Sequence, residues 1–174
     1  QFSSNTAAIS PYMLRSVGAQ YTLVGHSDNR GEGDTDSMLK DKVKYALKNH
    51  LKVVFCIGEN KSEKKNKKTL SVLKKQLIKV LEKNVNKNNI IVAYEPICSI
   101  GTGKIPTASG LKKTTIHIKK NFKRNFKNKK ISIGSQNCYQ KDQFSSNTAA
   151  ISPYMLRRVG AQYTLVGHSD NRGE

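Results

Sequence analysis

Acidic residues are scarce in this chain of 174 residues: 12 Asp and Glu stand against 31 Lys and Arg, for a formal charge of +19. Such an imbalance by itself points to nucleic acid or an anionic surface. Its distribution favours a plainer reading. The lysines arrive with asparagine in tracts, Lys61–Lys68, Lys83–Asn89 and Lys119–Lys130, that hold almost no arginine and few aromatic rings on which bases could stack. They read as solvated helix faces and linkers. Cysteine is nearly as scarce. Cys56, Cys98 and Cys138 lie far apart with no Cys-x-x-Cys spacing, which excludes a disulfide framework and a zinc site and fits a reducing cytoplasm. No apolar run is long enough to span a membrane, and no signal peptide is visible. The chain begins at Gln1 without a methionine, as a fragment would.

What the chain does have is a duplication. Residues 1–32 return as 143–174, and the two copies differ only where Ser16 becomes Arg158. Stacked repeat proteins use periods of roughly 20 to 50 residues, whereas this offset is 142 residues, most of the chain. The duplication is therefore a segment used twice, not a solenoid.

Short apolar runs alternate with helical patterns along the whole length. Residues 21–24, 52–57, 90–94, 131–133 and 163–166 are short, rich in Val and Ile and closed by glycine or polar residues, which predicts buried strands. Ser10-Pro11 and Ser152-Pro153 each supply an N-cap followed by proline at the first helical position, with Gly18 and Gly160 as stops. Leu39, Val43 and Leu47, then Leu70, Leu73, Leu77 and Leu81, predict amphipathic helices over 36–50 and about 67–84. A further helix is expected over about 107–126. Strands separated by helical crossovers imply a parallel sheet. The expected fold class is α/β, with residues 1–174 forming a single domain.

Polar residues sit where such a sheet binds ligands, at the carboxyl ends of its strands. These ends read Val24-Gly25-His26, Ile57-Gly58-Glu59, Tyr94-Glu95-Pro96 and Ser135-Gln136-Asn137. A lone histidine or glutamate after a strand is more often structural than catalytic. Glu95 is a stronger candidate, because a carboxylate directly after Ile91-Val92-Ala93-Tyr94 is half desolvated, which raises its basicity and suits a general base. The segment Pro96-Ile97-Cys98-Ser99-Ile100-Gly101-Thr102-Gly103-Lys104 has the parts of a phosphate-closing lid: two glycines whose backbone N–H groups can approach an anion, bounded by a proline and a lysine. It is not a Walker loop, since Cys98 and Ile105 stand where Gly and Ser or Thr are required. His50 and His117 fall inside helical stretches and read as packing or surface residues.

At these residues the sequence resembles the triosephosphate isomerase family. Ala93-Tyr94-Glu95-Pro96 with Ile100-Gly101-Thr102-Gly103-Lys104 resembles its catalytic glutamate and lid, and Gly25-His26-Ser27 its catalytic histidine segment. Cys56-Ile57-Gly58-Glu59 resembles the end of its fifth strand, and Gln136-Asn137-Cys138-Tyr139 the end of its third. The resemblance implies an incomplete (β/α)8 barrel of about five parallel strands, corresponding to strands four, five and six followed by three and four again. It implies Glu95 and His26 (second copy His168) as catalytic residues, residues Ile100, Gly101, Thr102, Gly103 and Lys104 as the phosphate lid, and Asn137, Ser27 and Glu59 in support. No cofactor and no metal are implied. The implied reaction interconverts dihydroxyacetone phosphate and glyceraldehyde 3-phosphate through an enediolate, a step of glycolysis and gluconeogenesis; the family is a cytoplasmic homodimer.

The chain also departs from the family. A complete barrel of this kind has eight strands in about 250 residues, and no segment here resembles strands one, two, seven or eight. The Asn-x-Lys of the first strand and the phosphate-binding serine and glycines of the last two have no counterpart. Cys98 stands at a lid hinge usually held by tryptophan, Asp28-Asn29 where the family has Glu-Arg, and Thr148-Ala149-Ala150 where its dimer loop reads Thr-Gly-Glu. These departures predict a crippled site. Two other classes are open on sequence grounds: a non-catalytic partial barrel that self-associates through its strand edges, and a basic nucleic-acid binder.

Overall fold

The computed structural model of the protein describes residues 9–83, 85–96, 106–127, 131–136, 138 and 151–166. Five parallel strands, β1 (Tyr21–Val24), β2 (Lys52–Ile57), β3 (Ile90–Tyr94), β4 (Ser132–Ser135) and β5 (Tyr163–Thr164), form one sheet in chain order. The sheet curls into part of a β/α barrel, as expected for the fold class. Its strands lie in step: Leu23 is level with Val54, Val54 with Ile91, and Ile91 with Ser132. The helices are α1 (Pro11–Ser16), α2 (Ser27–Gly31), α3 (Asp36–Lys48), α4 (Lys61–Lys65), α5 (Thr69–Val80), α6 (Ala108–Asn125) and α7 (Pro153–Arg158).

The two faces of the sheet differ sharply. Val53, Phe55 and Ile57 of β2, with Ile90 and Val92 of β3 and Ile133 of β4, join the main core. Over them lie Leu39, Val43 and Ala46 of α3, Leu73, Leu77 and Val80 of α5, and Leu111, Ile118 and Phe122 of α6, each set at the three-to-four spacing of a helix face. The alternate strand residues form a smaller apolar cluster on the inner face, with Val54, Cys56 and Ala93 buried and Ile91 and Leu165 partly so. β2 is thus covered on both sides, which is why it reads as an unbroken apolar run.

Local chemistry sets the element ends. α3 stops short of residue 50 because His50 takes a left-handed φ of 59°. The Leu51 N–H then bonds back to the Ala46 carbonyl at 3.0 Å, closing the helix as a glycine stop would. His50 is therefore a terminator and not a residue within the helix. The lysine tract after residue 60 folds into the solvated helix α4. There Asn60 and Glu63 form a reciprocal cap, each side chain accepting the other's backbone N–H at 2.9 Å. Lys67, at φ 57°, then separates α4 from α5.

The duplicated segment takes up both margins of the sheet. α1 and α7 have the same cap, Ser10 or Ser152 accepting the Met13 or Met155 N–H at 3.2 Å. Both end at a glycine with φ 90°. β1 lies at one edge and β5 at the other.

Gly25 carries the turn from β1 into the residues beyond it, at φ 80°. A Cβ there would fall 2.9 Å from Arg30 Nη2, 3.1 Å from the Cys56 carbonyl and 3.2 Å from the Phe55 ring, whereas at Gly18 it would meet nothing within 4 Å. Gly18→Ala bears only the backbone cost, about 1 kcal/mol, while Gly25→Ala adds a steric clash and is expected to cost roughly 2–4 kcal/mol. Urea unfolding of the two variants compares them directly, and equal losses would refute the close packing at Gly25.

Burial pushes the Cys56 thiol up from 9.0 to about 12, with the Glu95 carboxylate adding to the effect and Arg30 opposing it. The folded chain keeps this thiol protonated while the unfolded chain ionises it above 9.0. Its contribution to stability is thus intact below pH 9 and is lost as the pH rises from there toward 12. Between about pH 8 and about pH 10.5 the protein should lose more stability than its Cys56→Ala variant does. Parallel losses in denaturant titrations of the two proteins would contradict this.

Candidate active site

Because all five strands are parallel, the segments following them emerge at one edge of the sheet. His26 follows β1 through the Gly25 turn and is 8% exposed. It occupies the N-cap position of α2, and its Nδ1 accepts the Asp28 N–H at 3.4 Å. In the neutral ring that bond leaves the proton on Nε2, as a donor. The Asp28 carboxylate lies 3.3 Å from the same Nδ1 and accepts from it when Nδ1 carries a proton, in the protonated ring or in the neutral Nδ1–H tautomer. The two contacts are alternatives, and the bond from the backbone amide is the one the neutral Nε2–H tautomer makes.

Arg30 fixes this turn. Its Nε donates to the Gly25 carbonyl at 2.8 Å and its Nη2 to the Cys56 carbonyl at 3.3 Å. The guanidinium carbon lies 5.9 Å from the centre of the Phe55 ring, and Nη1 is 3.8 Å from Asp36 Oδ1. Burial draws the guanidinium pKa below its ordinary value, and the Asp36 carboxylate opposes that shift. One side chain thereby ties the end of β1 to β2 immediately before His26. Ser27, the first residue of α2, is half-buried beside it.

Glu59, after β2, is fully buried. It accepts the Tyr94 hydroxyl at 3.3 and 3.1 Å on its two oxygens, and Lys64 Nζ lies 3.3 Å from Oε1. A buried carboxylate held in this way is a structural anchor. Just before it, Gln76 of α5 clasps Gly58 from both sides, accepting its N–H at 3.1 Å and donating to its carbonyl at 3.0 Å. Glu95 follows β3 and is half-buried, and its N–H continues the ladder by bonding the Ile57 carbonyl at 3.0 Å. Its carboxylate is near enough to Cys56 to help hold that thiol protonated. After β4, buried Gln136 donates to the Ala93 carbonyl at 3.4 Å, and its Oε1 finds no hydrogen-bond partner among the described residues.

His26, Glu59 and Glu95 therefore share one edge of the sheet, with β2 between the strands that carry His26 and Glu95. Asn137, His168 and the lid residues 100–104 lie outside the described residues. Two surface hollows lie elsewhere: one, lined in part by Ser62, Asn66 and Lys75, runs beside α4 and α5, and the other, lined by Tyr21, Lys52, Ser132 and Tyr163, is at the opposite ends of the strands. Neither is lined by His26 or Glu95. Among the described residues no group of three or more His, Cys, Asp or Glu could hold a metal ion. Sequence reasoning missed Arg30 and Gln76 as braces. Gln76 did leave a signal, a polar residue between Leu73 and Leu77 on the inward face of α5.

Residues 2–130 and 121–174 match the family model for triosephosphate isomerase. The triosephosphate isomerase of Yarrowia lipolytica is 43% identical over 104 residues, covering 59% of this chain and 42% of that protein. The Thermodesulfovibrio yellowstonii enzyme is 34% identical over 119 residues, with 68% and 48% covered. The chain thus spans somewhat less than half the length of these curated relatives. The crystal structure of triosephosphate isomerase from Bartonella henselae superposes with a TM-score of 0.76 at 25% identity, covering 97% of this chain and 66% of that one. A barrel edge carrying histidine and glutamate on strands separated by one, together with matches along almost all of its length, shows that the chain belongs to the triosephosphate isomerase family.

Proposed function

We propose that the chain carries the proton-transfer half of a triosephosphate isomerase site and works on dihydroxyacetone phosphate and glyceraldehyde 3-phosphate. The observation that supports this best is the pairing, on one strand edge, of a half-buried Glu95 with a His26 whose Nδ1 is occupied by a backbone amide. Glu95 acts as the base that removes the proton beside the substrate carbonyl. His26, neutral, presents Nε2–H to the carbonyl oxygen and moves protons between the two oxygens of the enediolate. Triosephosphate isomerase is the standard example of a neutral histidine in this role, so the role comes from the family and the hydrogen bond at Nδ1 supports it. Residues 100–104 close over the phosphate and exclude water, which would otherwise let the enediolate shed its phosphate. Ser27 and Asn137 support the histidine and the substrate, and Glu59 holds the ends of β2 and β3 in place. His168 repeats His26 in sequence.

The reaction needs no cofactor, and the protein works in the cytoplasm. Nucleic acid is not a partner: within the tract from Lys119, Phe122 and Phe126 stack on each other at 4.4 Å in the core, so neither ring is presented to a base. Half of the family's phosphate cradle has no counterpart in this sequence, and each lost donor to developing charge typically lowers the rate by about 10² to 10³. Purified protein incubated with dihydroxyacetone phosphate in D2O should therefore exchange its C1 proton slowly, far below a complete isomerase, as followed by proton NMR. Glu95→Gln should abolish that exchange without lowering the melting temperature. Exchange that survives in the variant, or its complete absence from the parent protein, would refute the reading.

A further inference from the structure

The two copies of the duplicated segment make complementary halves of one set of contacts. Val159 at the end of α7 is 8% exposed, but its counterpart Val17 at the end of α1 is 81% exposed. Ser152 is fully buried and Leu156 is 7% exposed, whereas Ser10 and Leu14 are only half-buried. After the helix the relation reverses. Val24 is 5% exposed under α3, and its counterpart Val166 is 78% exposed. The second copy buries the side of the segment that faces β4 and α6, where Lys119 Nζ donates to the Gly160 carbonyl at 3.3 Å and Ser135 Oγ to Thr164 Oγ1 at 2.9 Å. The first copy buries the side that faces β2 and α3. A single copy placed between β4 and β2 would bury both.

Neither copy can do so within one chain, because β1 and β4 are separated by β2 and β3. A second chain removes that limit. β1, which has no strand on its outer side among the described residues, has the sequence that β4 already binds in β5, and the one difference between the copies, Ser16 for Arg158, lies on the solvent side, where Arg158 meets the exposed Tyr154. We propose that two copies of this chain close one eight-stranded β/α ring, each contributing β1 to β4, with the β1 of each chain displacing β5 of the other from β4. Four strands from each chain give the number at which a β/α barrel closes and its interior fills with side chains. Closure also removes both open edges and covers the inner face, where Leu23 is 38% exposed and the buried apolar cluster is limited to Val54, Cys56 and Ala93. The two-residue β5 is a small thing to displace. The second chain repeats the same four strands and restores none of the missing phosphate-binding ones, so the ring is independent of isomerase activity.

The test uses the full chain and light scattering. The parent protein should give a concentration-dependent species of twice 19.4 kDa. Val17→Lys should leave the melting temperature of the dilute monomer unchanged, since that position is solvent-exposed there, yet weaken the dimer at least about tenfold because the lysine enters the site Val159 fills. In Thr22→Cys/Ser135→Cys, oxidation should yield a covalent dimer linking residue 22 to residue 135 by peptide mapping. That link cannot form within one chain, where three strand spacings of about 4.8 Å separate the two positions. A monomer at every concentration, a dimer indifferent to Val17→Lys, or open-ended oligomers above the dimer would each overturn the proposal. Should the double variant fail to fold, the mass of the parent protein and the Val17→Lys comparison still decide.

Discussion

A parallel strand satisfies its backbone groups only between two neighbours, and the rest of this structure follows from that constraint. β2 and β3 have neighbours on both sides and are the best-buried part of the sheet, with Val53, Phe55, Ile90 and Val92 fully enclosed. Going outward the strands shorten, to four residues in β1 and β4 and two in β5. The helices follow the same gradient. α3, α5 and α6 cover the central strands with full apolar faces, while α1 at the margin leaves Tyr12 and Val17 in solvent. An eight-stranded ring solves the edge problem by having no edges, and a five-stranded arc must leave two.

The candidate site spans this gradient, from His26 after the edge strand β1 to Glu95 after the central strand β3. Its groups are held less by the loops that carry them than by side chains reaching in from neighbouring elements. Arg30 joins the Gly25 and Cys56 carbonyls, Gln76 clasps Gly58, and Tyr94 and Lys64 converge on Glu59. Each brace spans two strands or a strand and a helix, so the positions of His26 and Glu95 depend on the sheet being correctly assembled. Glu59, as polar as Glu95 in the sequence, is locked in the middle of this bracing, while Glu95 is half-buried where β3 meets the edge. Two glutamates that look alike in the sequence thus have different surroundings.

Much of this could be read from the residues. β2 and β3 fall where the short Val- and Ile-rich runs place them, because a run covered on both faces has few alternatives to a buried parallel strand. β4 is shifted to Ser132–Ser135. The outer strands are not buried as expected, β1 being largely exposed and β5 keeping only Tyr163–Thr164, both exposed, because each lies at a margin of the sheet. The Ser-Pro caps and glycine stops of α1 and α7 are also legible, being decided by dihedral angles and one hydrogen bond. α4 was hidden in a lysine tract, since its stability comes from the Asn60–Glu63 cap and not from an apolar stripe. The end of α3 at His50 was hidden too, because a non-glycine residue at positive φ leaves no compositional sign. At the site, His26, Glu59 and Glu95 could be picked out by their place after strands. Their braces could not, because the partners are far away in the chain.

The sequence by itself determined the family, the strand and helix order, and the duplication of a β/α segment, since each is written in local pattern and in motifs of fixed spacing. Only the tertiary structure decided how the two copies differ. Val17 and Val159 share their sequence neighbours except for Ser16 against Arg158, yet one is in solvent and the other in the core. Burial belongs to the surface a segment lies against: the first copy lies against β2 and α3, the second against β4 and α6.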